Sequence, residues 1–175
     1  MLTGDKIRLR ATEPSDLEQL LQWENNPDFW QISQTRTPFS RETLQAYLQN
    51  SHQPIQIAGQ YRFVIETRAQ AEAVGTLDFY EYDPVNSRCG VGILIADVLH
   101  RQKGYAQEAL QIAVKYAFEI LLVQQVYGQV LSNNYQSLRL FEKVGFKQTG
   151  TRKDWIRTPD GYIDECFLQC FRKDI

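Results

Sequence analysis

Three β-rich runs, residues 61–66, 74–82 and 88–95, follow one another with only short polar joins, and the apolar period then changes to that of a helix over residues 105–122. That order most restricts the fold, because adjacent strands joined by short turns pair antiparallel, whereas the long helix must cross over before the next strand, residues 125–131. The helix places Ala109, Ile112, Ala113, Tyr116, Ala117 and Ile120 on one face, and it spans about 27 Å at ~1.5 Å per residue. Upstream, Ile7 and Leu9 alternate with Arg8 and Arg10 as a first strand. Leu17, Leu20 and Leu21 form one helical stripe that Asn25-Asn26-Pro27 stops, and a second helix starts at Ser40. Downstream, Asn133 or Asn134 caps a short helix bearing Leu138, Phe141 and Val144, which Gly145 ends. Residues 146–156 and 162–171 make a last hairpin around Thr158-Pro159-Asp160-Gly161. The expected architecture is a mixed α/β (α+β) fold, with a central, mostly antiparallel sheet of about seven strands flanked by about four helices.

No repeat or Pro/Gly/Ser-rich linker divides the 175 residues, so one domain over 1–175 is expected. A hydrophobic fraction of 43% can bury a large core and excludes global disorder. Nineteen Lys and Arg against 21 Asp and Glu give a formal charge of −2, which speaks against a general nucleic-acid binder. The apolar run from Cys89 stops at Asp97, far short of the ~20 residues that span a bilayer, so no membrane partner is expected. The start of the chain has no continuous apolar centre, and a cytosolic (cytoplasmic) location is expected. Cys89, Cys166 and Cys170 read as reduced, packed thiols. In a strand, Cys166 and Cys170 stand about 13 Å apart, beyond disulfide reach. With His52 and His100 as the only histidines, no metal is expected.

Chemistry concentrates where the third β-rich run meets the long helix. The loop Arg101-Gln102-Lys103-Gly104-Tyr105-Ala106 offers two cations, a glycine that admits close approach, and the unpaired N–H groups of a helix start. These groups suit a phosphate or pyrophosphate, although a strand–helix loop also uses glycine and basic residues simply to turn and to stay soluble. Neither G-x-x-x-x-G-K-[ST] nor G-x-G-x-x-G occurs. Asn134 and Ser137 lie one turn apart and can face one ligand, or serve only as capping residues.

The loop resembles the [QR]-x-x-G-x-[GA] coenzyme A loop of the GNAT superfamily of N-acetyltransferases, and Asn134-x-x-Ser137 with Gly145-Phe146 resembles its N-x-x-[AS] … G-F helix. Both motifs in order, one helix and one strand apart, extend the resemblance over almost the whole chain. The opening K-I-R-L-R and the closing hairpin are similar to the branch containing ribosomal-protein N-terminal and spermidine acetyltransferases. The resemblance implies acetyl-CoA as cosubstrate. Its pantetheine arm would pair with Leu94, Ile95 and Ala96, an N–H of Ala96 would face the oxyanion, the pyrophosphate would rest on Arg101 to Ala106, and Asn134 would contact the arm or a water.

An attacking amine must be neutral, while lysine-type amines hold their proton to about pH 10. Glu81 is the first choice of base, directly or through water, with Asp78 on the same run; a surface or pairing role is the ordinary alternative for Glu81. Phe141 stands where many family members carry a proton-donating tyrosine, so Ser137, or less simply Tyr135, takes the acid role, or the thiolate leaves unaided. By resemblance, the acceptor opening is framed by Trp30, Gln31, Arg36, Phe39, Trp155 and Tyr162, which are otherwise ordinary packing or surface residues. Residues 30–39 contain no carboxylate, which disfavours spermidine. The expected activity is acetyl transfer from acetyl-CoA to a primary amine, a peptide or protein N-terminus before a small metabolite, with a homodimer possible by resemblance. The alternatives are a polyamine acetyltransferase, a non-catalytic acyl-CoA-binding module, and, last, a nucleic-acid patch built on His100, Arg101 and Lys103.

Overall fold

Strand β1 (Ile7–Ala11) buries Ile7 and Leu9 and leaves its arginines partly exposed, as the alternation requires. A computed structural model describes residues 1–174. After β1 the chain makes a 3₁₀ turn and helices α1 (Leu17–Glu24), α2 (Pro27–Ser33), α3 (Arg41–Asn50) and α4 (Ile55–Ala58). The three β-rich runs become β2 (Tyr61–Thr67), β3 (Ala73–Asp83) and β4 (Arg88–Ile95). Helix α5 (Tyr105–Glu119), β5 (Gln125–Leu131), α6 (Tyr135–Lys143), β6 (Lys147–Thr158) and β7 (Gly161–Phe171) complete the sequence of elements. Among the described residues the seven strands lie in one sheet, in the order β1-β2-β3-β4-β5-β7-β6, and only β4 and β5 run parallel.

Two short helices exceed the expected four. Helix α1 stops at Glu24, before Asn25-Asn26-Pro27 as expected, but Pro27 also starts α2: it occupies the first helical position, where its missing N–H is no loss, and Asn26 caps it by accepting from Asp28 N–H at 3.0 Å. Helix α4 is a single turn between Pro54 and Gly59. Helix α5 stops at Glu119 rather than Leu122, which adopts a left-handed φ of 56°. Its buried face is Ala109, Leu110, Ala113, Val114, Ala117 and Phe118, so the real stripe is rotated from the expected one and Ile120 stays exposed.

The core has two parts. The larger packs α5 and α6 against the sheet. The smaller joins Leu20, Trp23, Phe29, Leu44 and Leu48 of α1, α2 and α3 to Ala96, just beyond β4. Ion pairs tie this helical layer to the sheet: Arg10 grips Asp16 at 2.7 and 2.8 Å, and buried Glu66 at 2.6 Å. The three cysteines are buried and none is in a disulfide.

Candidate active site

Strands β4 and β5 pair only at Arg88–Gln125, Cys89–Val126 and Gly90–Tyr127, and then diverge. The opening continues into a cavity of about 380 Å³. Gly92, Ile93 and Leu94 line one side, Gln129, Val130 and Leu131 another, Asn134, Ser137 and Phe141 a third, and Trp23, Phe29 and Ile32 of the helical layer a fourth.

Register decides which backbone groups face the gap. Leu94 pairs with Thr76 of β3, and Ala96 N–H donates to Val74 C=O at 3.0 Å. In an antiparallel ladder the N–H groups alternate in direction, so those of Ile93 and Ile95 point away from β3, into the opening beside β5. The expectation for Ala96 is therefore corrected: its N–H is consumed by β3, and Ile95 presents the available donor. The Ile95 carbonyl accepts from Arg101 Nε at 3.2 Å.

Arg101, Gln102, Lys103 and Gly104 are exposed, and Tyr105 and Ala106 begin α5 half-buried. Gly104 adopts φ 85°, a left-handed conformation that costs glycine little, and this turns the first N–H groups of α5 outward. Arg101 lies 5.9 Å from the Phe29 ring and so links the loop to the helical layer. A third cation reaches the loop unannounced by any local motif: Lys6 Nζ donates to Lys103 C=O at 3.0 Å. Glu108, in the first turn of α5, accepts from the N–H groups of Asp5, Lys6 and Ile7, which fixes the start of β1 against the helix. His100 does not join a surface patch; it faces Glu72 at 3.2 Å and packs beside Tyr105.

Asn134 caps α6 by accepting from Ser137 N–H at 3.1 Å, and both residues line the cavity. Ser137 Oγ makes no hydrogen bond among the described residues and so remains open to a ligand. Phe141 is buried because Gly128 of β5 leaves room for its ring; a Cβ there would run into it.

The acidic wall differs from expectation. Glu81 is exposed on a bulge of β3 with φ 48°, its carboxylate accepts from Tyr127 Oη, and it does not line the cavity. The carboxylates that do are Glu24 of α1, Asp78 of β3 and Glu165 of β7. Arg62 of β2 joins the first two, donating to Asp78 at 2.6 and 3.1 Å and to Glu24. Burial works against its charge, but the two carboxylates outweigh it and hold the guanidinium more firmly protonated than usual. Glu165 pairs with Arg152 at 2.7 Å. Burial, with Glu81 and Glu165 nearby, pushes the Tyr80 hydroxyl well above its ordinary range, so it stays a neutral phenol on the same wall.

Of the residues named for the acceptor, Trp30 donates its indole N–H to Glu24 C=O at 2.9 Å, Gln31 and Arg36 are exposed, and Trp155 and Tyr162 lie on the exposed β6–β7 hairpin. None of these lines the cavity. Phe39 lines a second cavity of about 280 Å³ that shares Glu24, Arg62, Asp78 and Tyr80 with the first. Helix α2 instead presents Phe29, Ile32 and Ser33 inward. The hairpin register could have revealed one pair, since Arg62 stands directly opposite Asp78 and such opposite-charge partners stabilise adjacent strands. No group of His, Cys, Asp and Glu suited to a metal occurs among the described residues, and none of their helices is long and apolar enough to cross a membrane.

Comparison with known proteins converges on one fold and one family. The spermidine N-acetyltransferase of Vibrio cholerae, solved with CoA and spermine, superposes with a TM-score of 0.86 at 25% identity over 98% of both chains. A dodecameric structure of that enzyme aligns with a TM-score of 0.80 at 26% identity, over 97% of this chain and 96% of the other. An uncharacterized N-acetyltransferase of Bacillus licheniformis, p20, is 25% identical over 99% of this chain and 97% of its own. The profile of the acetyltransferase (GNAT) domain matches residues 6–147, and the chain belongs to that family.

Proposed function

We propose that the protein transfers the acetyl group of acetyl-CoA to a primary amine by direct attack. The observation that carries this reading is the parting of β4 and β5 after Gly90, which turns the N–H groups of Ile93 and Ile95 toward the mouth of a cavity lined by carboxylates. An extended pantetheine arm fits that gap as an added strand, with its phosphates on Arg101 to Ala106 and Lys6 close by. The solved relative that holds CoA supports this cosubstrate. Ile95 N–H is the donor we assign to the oxyanion, and Asn134 and Ser137 flank the arm.

Amine deprotonation is assigned to Asp78, directly or through water. Its side chain is 31% exposed, against 17% for Glu24 and 3% for Glu165, so it alone of the three hands a proton readily to solvent. Ser137 Oγ is the one hydroxyl on α6 that we place at the departing thiolate. Self-association is part of the proposal, given the dodecameric relative; the exposed outer edge of β6 is the surface we assign to it. Light scattering showing a monomer at working concentration would remove that part.

Acetyl-CoA with a panel of peptide and small-molecule primary amines, read as thiol release, tests the central reading. Release that requires the amine is expected. A second reading, an acyl-CoA-binding module without turnover, is favoured only by Phe141, which brings no proton to the site; saturable acetyl-CoA binding with no release on any amine would support it instead.

A further inference from the structure

We infer that the acceptor is a monoamine, one ammonium on an apolar body, rather than a polyamine. This rests on the proposed acetyl transfer and concerns only which amine the cavity admits. Polyamine recognition calls for carboxylates spaced to meet successive ammonium groups. Here each of the three carboxylates lining the cavity already has an internal cation. Glu165 holds Arg152, and Glu24 and Asp78 share Arg62. The Glu24–Arg62–Asp78 group therefore offers one net negative charge, matched by one ammonium.

Arg62 cannot step aside. It is fixed as the cross-strand partner of Asp78, donates to both carboxylates, and lies 5.8 Å from the Tyr47 ring. Its side chain is only 20% exposed, so water screens its charge weakly and a second ammonium brought beside it is repelled. The remaining wall near α1 and α2 is Trp23, Phe29 and Ile32 with the uncharged Ser33 and Gln34, which rewards an apolar body and gives a second ammonium no carboxylate partner. Thus Arg62 acts as a built-in substitute for one charge of a polyamine, discriminating by repulsion as well as by fit.

The test is calorimetric titration of the coenzyme A-loaded protein with 2-phenylethylamine and with spermidine. The unaltered protein is expected to bind phenylethylamine at least about tenfold more tightly. Arg62→Gln removes the internal cation and should shift the preference about tenfold toward spermidine. Because that change leaves two carboxylates unpaired and threatens folding, Glu24→Gln serves as the second variant. It makes the wall neutral and should weaken phenylethylamine binding about tenfold. Tighter spermidine binding by the unaltered protein, binding of neither amine, or a preference unmoved in every variant that folds would overturn the inference. Thiol release from acetyl-CoA, measured on the same protein free of coenzyme A, separates the two claims: an amine that binds as expected but releases no thiol would overturn the acetyl-transfer reading and leave the recognition claim standing.

Discussion

The two sides of the cavity are built on different principles. On the side we assign to the cofactor, backbone does most of the work: the N–H groups of Ile93 and Ile95, the start of α5 and the left-handed Gly104 are consequences of strand register and helix geometry. On the side we assign to the acceptor, side chains from α1, β2 and β3 meet in one charged group, Glu24–Arg62–Asp78, and the helices above it rest on a small separate core. Backbone sites are local in sequence and tolerant of neighbouring substitutions, whereas the charged wall depends on three residues that only the folded sheet brings together.

The largest effect is expected where that wall is broken. Arg62→Ala leaves Glu24 and Asp78 facing each other with little solvent, and because the group is partly exposed the loss of stability should be about 2–3 kcal/mol. Urea denaturation measures it. A loss below about 0.5 kcal/mol would show that water, not Arg62, neutralises the wall, and the contrast between the two sides would fail.

The complementary change on the cofactor side is Gly104→Asp. It forces a side chain into φ 85° and sets a negative charge at the start of α5, within reach of the Lys6 ammonium, which lies 3.1 Å from where the new Cβ would stand. Coenzyme A affinity should fall about 10- to 100-fold by calorimetry, with the fold retained. An unchanged affinity in the folded variant would move the phosphates away from this loop.

The same division explains what could be read beforehand. The loop Arg101 to Ala106, the cap at Asn134 and all seven strands follow from short patterns, since each depends on neighbours a few residues away. Arg62 and Glu24 are 38 residues apart, and no local pattern announces their meeting; the absence of carboxylates from residues 30–39 therefore says nothing about the acidity of the cavity. Asn25-Asn26-Pro27 announces the end of α1 but not the start of α2, because proline both ends and begins helices and it takes the Asn26 cap to make it a beginning. Glu81 leaves the cavity wall because simple alternation along β3 fails at the bulge, where φ turns positive and its carboxylate goes to Tyr127.

Acid should loosen the attachment of the helical layer to the sheet. Burial alone would raise the Asp16 carboxyl, but hydrogen bonds from Arg10 and from Glu13 N–H, with the Arg10 charge, hold it below its usual range. The folded value is thus lower than the unfolded one near about 4, so its contribution is complete above that pH and is lost as pH falls below it toward the folded value. Asp16→Asn should cost about 1–2 kcal/mol at neutral pH and flatten the fall of Tm below about pH 4. An acid slope identical to that of the parent would exclude the Arg10–Asp16 tie as the pH-sensitive attachment of the helical layer.

The smallest effect belongs to Ser137, where the two sides meet. Its N–H is fixed by Asn134, its hydroxyl is open to the cavity, and Phe141 lies one turn further along the same helix. A thiol of reference pKa about 8.5 leaves tolerably as its anion, so loss of a proton donor slows turnover only if departure limits the rate. Ser137→Ala should then lower kcat by no more than about tenfold, with acetyl-CoA affinity unchanged because the serine backbone still satisfies the cap. Phe141→Tyr should restore part of that loss, since residues at i and i+4 share a helix face and a phenol adds a donor to a ring already seated against Gly128. Steady-state rates for both single variants and the double variant decide the matter. Full activity in Ser137→Ala would show that the thiolate departs unaided or with a proton from water, and that this side of the cavity contributes position rather than chemistry.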